Sequence, residues 1–142
     1  IIVIILISVI IYKKYSTSNK TVSDSILGCY VYTNEDSTYS LDITSQKWGS
    51  VWGTLIYNIP DNRGSSVTIK GKHMDGIVIA DYLFQSDSVN SSMQVAFKKQ
   101  GSDFLGGYEK NNSNARFNNL NDIIYDSSGL FKATKDNCAT SL

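Results

Sequence analysis

From residue 28 onward, apolar and polar positions alternate in short runs. Over residues 38–44, Tyr39, Leu41 and Ile43 fall on one side, and Ser40, Asp42 and Thr44 on the other. Residues 66–72 repeat the pattern, with Val67 and Ile69 against Ser66, Thr68 and Lys70. Residues 93–99 do so again, with Met93, Val95 and Phe97 against Gln94 and Lys98. Successive side chains of a strand point to opposite faces, so a period of two residues sets one face on a core and the other in water. A helix would spread the same residues around its circumference. Each run is therefore predicted to be a half-buried strand. Residues 50–58 and 77–86 are apolar on both faces and predict central strands or strands covered on both sides. Gly53, inside the first of them, marks a bulge or a tight bend. Residues 29–33 and 103–109 bring the number of strands to seven, and 130–134 offers an eighth.

The connections agree with that reading. Asp75-Gly76 separates residues 66–72 from 77–86, and Asp-Gly readily adopts the positive φ pair of a two-residue hairpin. Asn62-Arg63-Gly64, after the single proline Pro60, reads as a looser turn, and Gly101-Ser102 divides residues 93–99 from 103–109. Every neighbouring pair can then be antiparallel. Such a meander must protect its two edges, and closure removes them. One segment changes period: Leu120, Ile123 and Ile124 share a helical face behind Asn118 and Asn119, both good cap residues. The expected fold is all-β, a single antiparallel up-and-down barrel of about seven or eight strands over residues 28–142, with one short C-terminal helix across one end.

The first residues follow a different pattern. Residues 1–12 are apolar apart from Ser8 and carry no charge. A bilayer span takes about 20 apolar residues, and because the chain starts at Ile1 rather than Met, the run is read as an N-terminally incomplete transmembrane helix. Lys13, Lys14 and Tyr15 follow it where a cleaved signal peptide would show small residues, so the pattern is that of a retained anchor. Ile26-Leu27-Gly28-Cys29 has the look of a lipidation motif, but polar residues separate it from the apolar run. Residues 13–27 read as a polar linker.

Composition adds little chemistry. The net charge is +0, with no basic stripe of the kind a nucleic acid requires, so no nucleic-acid partner is expected. Nine tyrosines against one proline suit strands better than helices. The two cysteines, Cys29 and Cys138, stand at the two ends of the barrel domain. They read either as one disulfide tying down the C-terminal tail or as two free thiols in a reducing compartment; neither belongs to a zinc or C-x-x-C motif. The disulfide is the favoured reading and argues for an oxidising location. Lys13, Lys14 and Lys20, beyond the anchor, pull the other way under the positive-inside tendency. The expected placement is single-pass in a membrane, with the C-terminal domain outside the cytoplasm.

Residues 28–138 also carry a soft resemblance. Asp81, Tyr82, Phe84 and Ser86 at the end of one strand, then Gln94, Val95, Phe97 and Lys98, then Gly107-Tyr108, are similar to positions in a group of small exported or membrane-anchored bacterial proteins. Their barrels look calycin-like, in the broad sense that includes lipocalins. The resemblance implies a barrel at the cell surface and carries no functional residue with it.

Candidate chemistry is sparse. His73, the single histidine, is expected to be a solvated turn residue beside Asp75-Gly76. No G-x-S-x-G elbow and no phosphate loop occur. Asp81 stands in an otherwise apolar strand, where an unpaired carboxylate is costly, so Arg116 or a lysine is expected to pair with it. Such a pair is either structural or a polar anchor for a ligand's cationic or hydroxyl group. Trp48, Trp52, Tyr30 and Tyr32 are candidates for an aromatic surface, with barrel packing as the favoured reading. The candidate binding residues are therefore Asp81, Arg116, Trp48 and Trp52, and no metal or cofactor is expected. Two functions remain open: a surface interaction or structural module, slightly favoured, and a binding barrel for a small apolar ligand. An enzyme ranks third. The partners expected are the membrane, through the anchor, and a protein or a small apolar molecule.

Overall fold

The alternating runs form strands whose inward residues meet on the axis of a barrel. The computed structural model describes residues 25–59, 62–86 and 89–138, so the expected anchor and most of the linker lie outside the described residues. Among the described residues no helix is long and apolar enough to cross a membrane. The strands are β1 (Gly28–Thr33), β2 (Thr38–Lys47), β3 (Ser50–Ile59), β4 (Asn62–Met74), β5 (Ile77–Ser86), β6 (Val89–Gln100), β7 (Asp103–Glu109) and β8 (Ile123–Thr134). Each pairs antiparallel with the next, and β1 pairs with β8, closing an eight-stranded barrel in sequence order. The up-and-down order gathers the turns at Trp48-Gly49, Asp75-Gly76 and Gly101-Ser102 at one end, with both the approach to β1 and the exit from β8. At the first two of these turns both central residues have positive φ, 50° and 74° at Trp48 and Gly49, 53° and 76° at Asp75 and Gly76. That is the twist a two-residue hairpin needs.

This end is plugged. Leu41, Ile43, Val51, Ile69, Val78 and Phe104 point into it and are all at most 2% exposed. Ile26, in the stretch read as linker, is fully buried in the same cluster. Its N–H donates to Gln46 Oε1 at 3.1 Å, and its carbonyl accepts the Tyr30 hydroxyl at 2.9 Å. Tyr30 and Phe104 meet edge to face with centroids 4.8 Å apart. The strands crowd here: a Cβ on Gly71 would lie 2.1 Å from the Ile79 carbonyl oxygen, and one on Gly53 equally close to that of Asp42. Gly53 faces the shift of register between Ile43 and Ser45 of β2, so the bulge it signalled lies on the partner strand.

Two expectations are corrected. The C-terminal helix is a single 3-10 turn, Leu120–Asp122, with the Asn119 side chain accepting from the Asn121 N–H. Ile123 and Ile124 instead begin β8, opposite Glu109 and Tyr108. One turn leaves most of its backbone groups unpaired, whereas the ladder to β7 satisfies them and suits β-branched residues. Asn62–Gly64 are strand residues, because β4 starts at Asn62. Tyr30 and Tyr32 pack inside the barrel, as the packing reading of these aromatics expects. The doubly apolar run of β5 is a central strand, paired with β4 on one side and β6 on the other, and Leu83 on its outer face is 73% exposed.

Cys29 and Cys138 form a disulfide, their Cα atoms 5.4 Å apart. It fastens β1 to the tail beyond β8 and leaves Cys29 no thiol to lipidate.

Candidate functional site

Among the described residues, a cavity and a groove lie where the β6–β7 and β4–β5 ladders stop short. The first opening lies between β6 and β7, which pair only from Phe97–Gly106 to Gln100–Asp103. Beyond Gly106 the register shifts, and β7 continues with β8 alone. The free edge of β6 is met by residues 110–119. The Gln94 N–H donates to the Ala115 carbonyl at 2.8 Å, and the Phe117 N–H donates to Gln94 Oε1 at 3.3 Å. Glu109 organises this segment: its carboxylate accepts the N–H groups of Asn118 and Asn119 at 2.7 and 3.2 Å, and the Asn112 amide besides. Asn112 also donates to the Arg116 carbonyl at 2.9 Å.

A cavity of about 330 Å³ lies at this opening. Tyr39, Leu55, Val95, Phe97 and Phe131 wall it from the barrel interior, and Gln94, Glu109 and Phe117 from the loop. Consecutive residues Gln94 to Phe97 all line it, in keeping with a cavity along the edge of β6 beyond its last pair with β7. Gly106 and Gly107 contribute no side chain to fill it. The interior is thus packed at the turn end and open above Phe97 and Phe131.

The second opening lies between β4 and β5, paired only from Ile69–Tyr82 to Met74–Ile77. Above that, β4 stays with β3 and β5 with β6, leaving an outer groove of about 720 Å³. Directly opposed residues form one row across four strands of the outer wall: Trp52 faces Lys70, Lys70 faces Asp81, and Asp81 faces Gln94. Arg116 Nη1 reaches Asp81 Oδ1 at 2.7 Å. Both side chains are about half exposed, 53% and 48%, so the pair contributes at most about 1 kcal/mol. Its geometric effect is larger, because it pins residues 110–119 against β5. Lys70 Nζ lies 5.8 Å from the centre of the Trp52 ring.

Of the residues singled out from sequence, Asp81, Arg116 and Trp52 meet in this groove. Trp48 does not. It is 90% exposed in the β2–β3 turn at the plugged end, with Lys47 Nζ 4.4 Å from its ring centre. Gln94 and Glu109 escaped the sequence reading. The signal available was the asparagine-rich stretch from Asn111 to Asn121, which follows a lone glutamate that could bind its N–H groups. Among the described residues no three His, Cys, Asp or Glu side chains gather as a metal site.

His73 also departs from expectation. β4 runs on to Met74, so alternation from Ile69 carries His73 inward. Its Nδ1 lies 3.1 Å from Gln46 Nε2, and its backbone N–H donates to the Gly49 carbonyl at 2.8 Å. An amide nitrogen can only donate, so Nδ1 is the acceptor and the ring is neutral. Burial, then the charge of Lys99, holds the imidazole below its usual range. The folded state therefore binds a proton less readily than the unfolded chain. This contribution to stability is present above the ordinary histidine range and is lost as pH falls through it. Urea denaturation between pH 5 and 7 is expected to show stability rising with pH, and His73→Gln is expected to flatten that slope; an unchanged slope would refute the assignment.

Comparison with family models, with curated proteins and with solved structures finds no match to this chain.

Proposed function

We propose that the barrel is a non-enzymatic binding module, held at the outer face of a membrane, that takes a small, mainly apolar molecule into the β6–β7 cavity. The observation that carries this is the uneven filling of the interior. Small barrels either fill themselves with side chains or hold one ligand, and this one does the first at its plugged end and leaves about 330 Å³ open at the other. That volume falls within the usual range for ligand pockets, about 300–1,000 Å³. The aromatic and aliphatic wall favours a ring or short chain, and Gln94 offers a polar contact at the opening. The disulfide supports an oxidising location. Together with the apolar run of residues 1–12, this supports a tethered domain outside the cytoplasm.

Native mass spectrometry of the chain purified from its own source is expected to show a co-purifying small molecule. Leu55→Trp, which fills the cavity from its wall, is expected to remove that molecule and to abolish enhancement of anilinonaphthalene sulfonate fluorescence, with the melting temperature little changed. A wild-type chain that carries no adduct and does not enhance the dye would overturn the reading.

A second reading, a module displayed against the membrane, rests on the plugged end. Leu27, Trp48 and Met74 are 50%, 90% and 73% exposed there, beside Lys47 and Lys72, at the end where the chain arrives from the apolar run. Aromatic residues with neighbouring lysines suit a lipid interface. With the full chain in vesicles, brominated lipid is expected to quench Trp48 in the Trp52→Phe variant and to spare Trp52 in the Trp48→Phe variant. Equal quenching of the two would rule out this orientation.

A further inference from the structure

The outer groove between β4 and β5 plays no part in the interior reading, yet it is built from groups that act on ligands. Trp52 forms one wall as a partly exposed indole. Ser66, Thr68 and Ser92 bring hydroxyls that both donate and accept. Ser66, Val67 and Thr68 line the groove consecutively, so it runs along the edge of β4 beyond its last pair with β5, where backbone N–H and C=O groups have no ladder partner on that side. Leu83, 73% exposed, closes the far side with an apolar surface. A flat aromatic face surrounded by hydroxyls, planar polar groups and short apolar patches is complementary to a sugar ring. The ring presents a C–H face to the indole and a rim of hydroxyls to the rest.

Charge narrows the class. The groove holds Lys70, Arg116 and Asp81, a surplus of one positive charge. Arg116 is committed to Asp81 at 2.7 Å. Lys70 faces Asp81 in register, but among the described residues its ammonium lies within ion-pair distance of no carboxylate and sits instead over the Trp52 ring. A ligand that displaces Lys70 from the Trp52 ring would therefore find beside it a cation with no carboxylate partner.

We infer that this outer groove binds an acidic saccharide, with one sugar ring against Trp52 and its carboxylate at Lys70. Asp81, fixed by Arg116, accepts from sugar hydroxyls with its exposed oxygen, and the serine and threonine hydroxyls complete the rim. The groove is open along its length, which suits an oligosaccharide better than a single ring.

The test uses the full chain in lipid nanodiscs on an array of neutral, sialylated and uronic-acid-bearing glycans. Binding is expected to be confined to acidic members. Lys70→Met keeps an unbranched side chain and removes the charge, so it is expected to weaken that binding by about tenfold, the usual size of a charge-assisted contact, and to erase the preference over neutral glycans. Trp52→Ala is expected to abolish binding; should that variant misfold, Lys70→Met still decides. Leu55→Trp, which blocks the interior cavity, is expected to leave glycan binding unchanged, so failure of either site is seen separately. The inference is overturned if no acidic glycan is held above the neutral ones, or if Lys70→Met binds as the wild type does.

Discussion

Replacing Cys29 and Cys138 together by alanine is expected to lower the unfolding free energy by about 4–5 kcal/mol, through the loop-closure entropy that the cross-link removes from the unfolded chain. The bond joins residues 109 apart, close to the longest loop the domain allows. Its position adds to the effect. β1 and β8 share only three paired positions, Cys29 to Val31 against Thr134 to Lys132, so the strand pair that closes the barrel has the shortest ladder in it. Both cysteines are nearly buried, 6% and 1% exposed, and alanine avoids leaving a hydroxyl there without a partner. Against a typical domain stability of about 5–15 kcal/mol, such a loss leaves a chain that is marginally folded at best. Urea denaturation of the wild type with and without reductant, and of the double variant, measures it. The midpoint is expected to fall, and the amides of Tyr30 and Val31 to exchange with solvent sooner than those of β5. A loss below about 1 kcal/mol would show that the β1–β8 ladder and the buried Ile26 close the barrel unaided.

The alternation of β2, β4 and β6 made the architecture legible, because period-two burial is a local property of sequence and the Asp75-Gly76 turn fixes one register by itself. The errors arose where tertiary pairing overrode local preference. Ile123 and Ile124 satisfy a helical face and a strand equally well, and the free ladder of β7 decided between them. Local alternation ends β4 at Lys72 and leaves His73 to the turn, whereas two more residues of strand turn it inward. Asp81, Arg116 and Trp52 were recognisable by type, but their meeting depends on the cross-strand register from Trp52 to Gln94, and no single segment holds that information. The cavity was least legible of all. It exists because the β6–β7 ladder ends at Phe97 and Gly106, and a ladder's end depends on where two distant strands diverge. Trp48 shows the converse: an aromatic in a turn signals a surface, but only the fold separates that surface from the groove.

Truncating Phe104 to alanine is expected to cost about 3–5 kcal/mol, the range for a large aromatic removed from a core. Its side chain is fully buried, edge-on to Tyr30 at 4.8 Å and to Phe97 at 6.4 Å, in the part of the barrel packed on all sides. Phe131 is the informative contrast. It stands opposite Phe104 in the β7–β8 ladder, is 7% exposed and meets Phe97 at 5.3 Å, yet one side of it faces the cavity. A group beside a void already lacks partner atoms on that side, so its removal forfeits fewer contacts. Phe131→Ala should therefore cost distinctly less than Phe104→Ala, by about 1–2 kcal/mol, under the same urea titration. A bound apolar molecule would narrow that gap, because it supplies the missing contacts to Phe131 and none to Phe104. The pair of variants thus reads the cavity through stability, with no need to know the ligand. If Phe131→Ala proves as costly as Phe104→Ala in ligand-free protein, the upper barrel is packed as tightly as the lower, and the binding function has no place to reside.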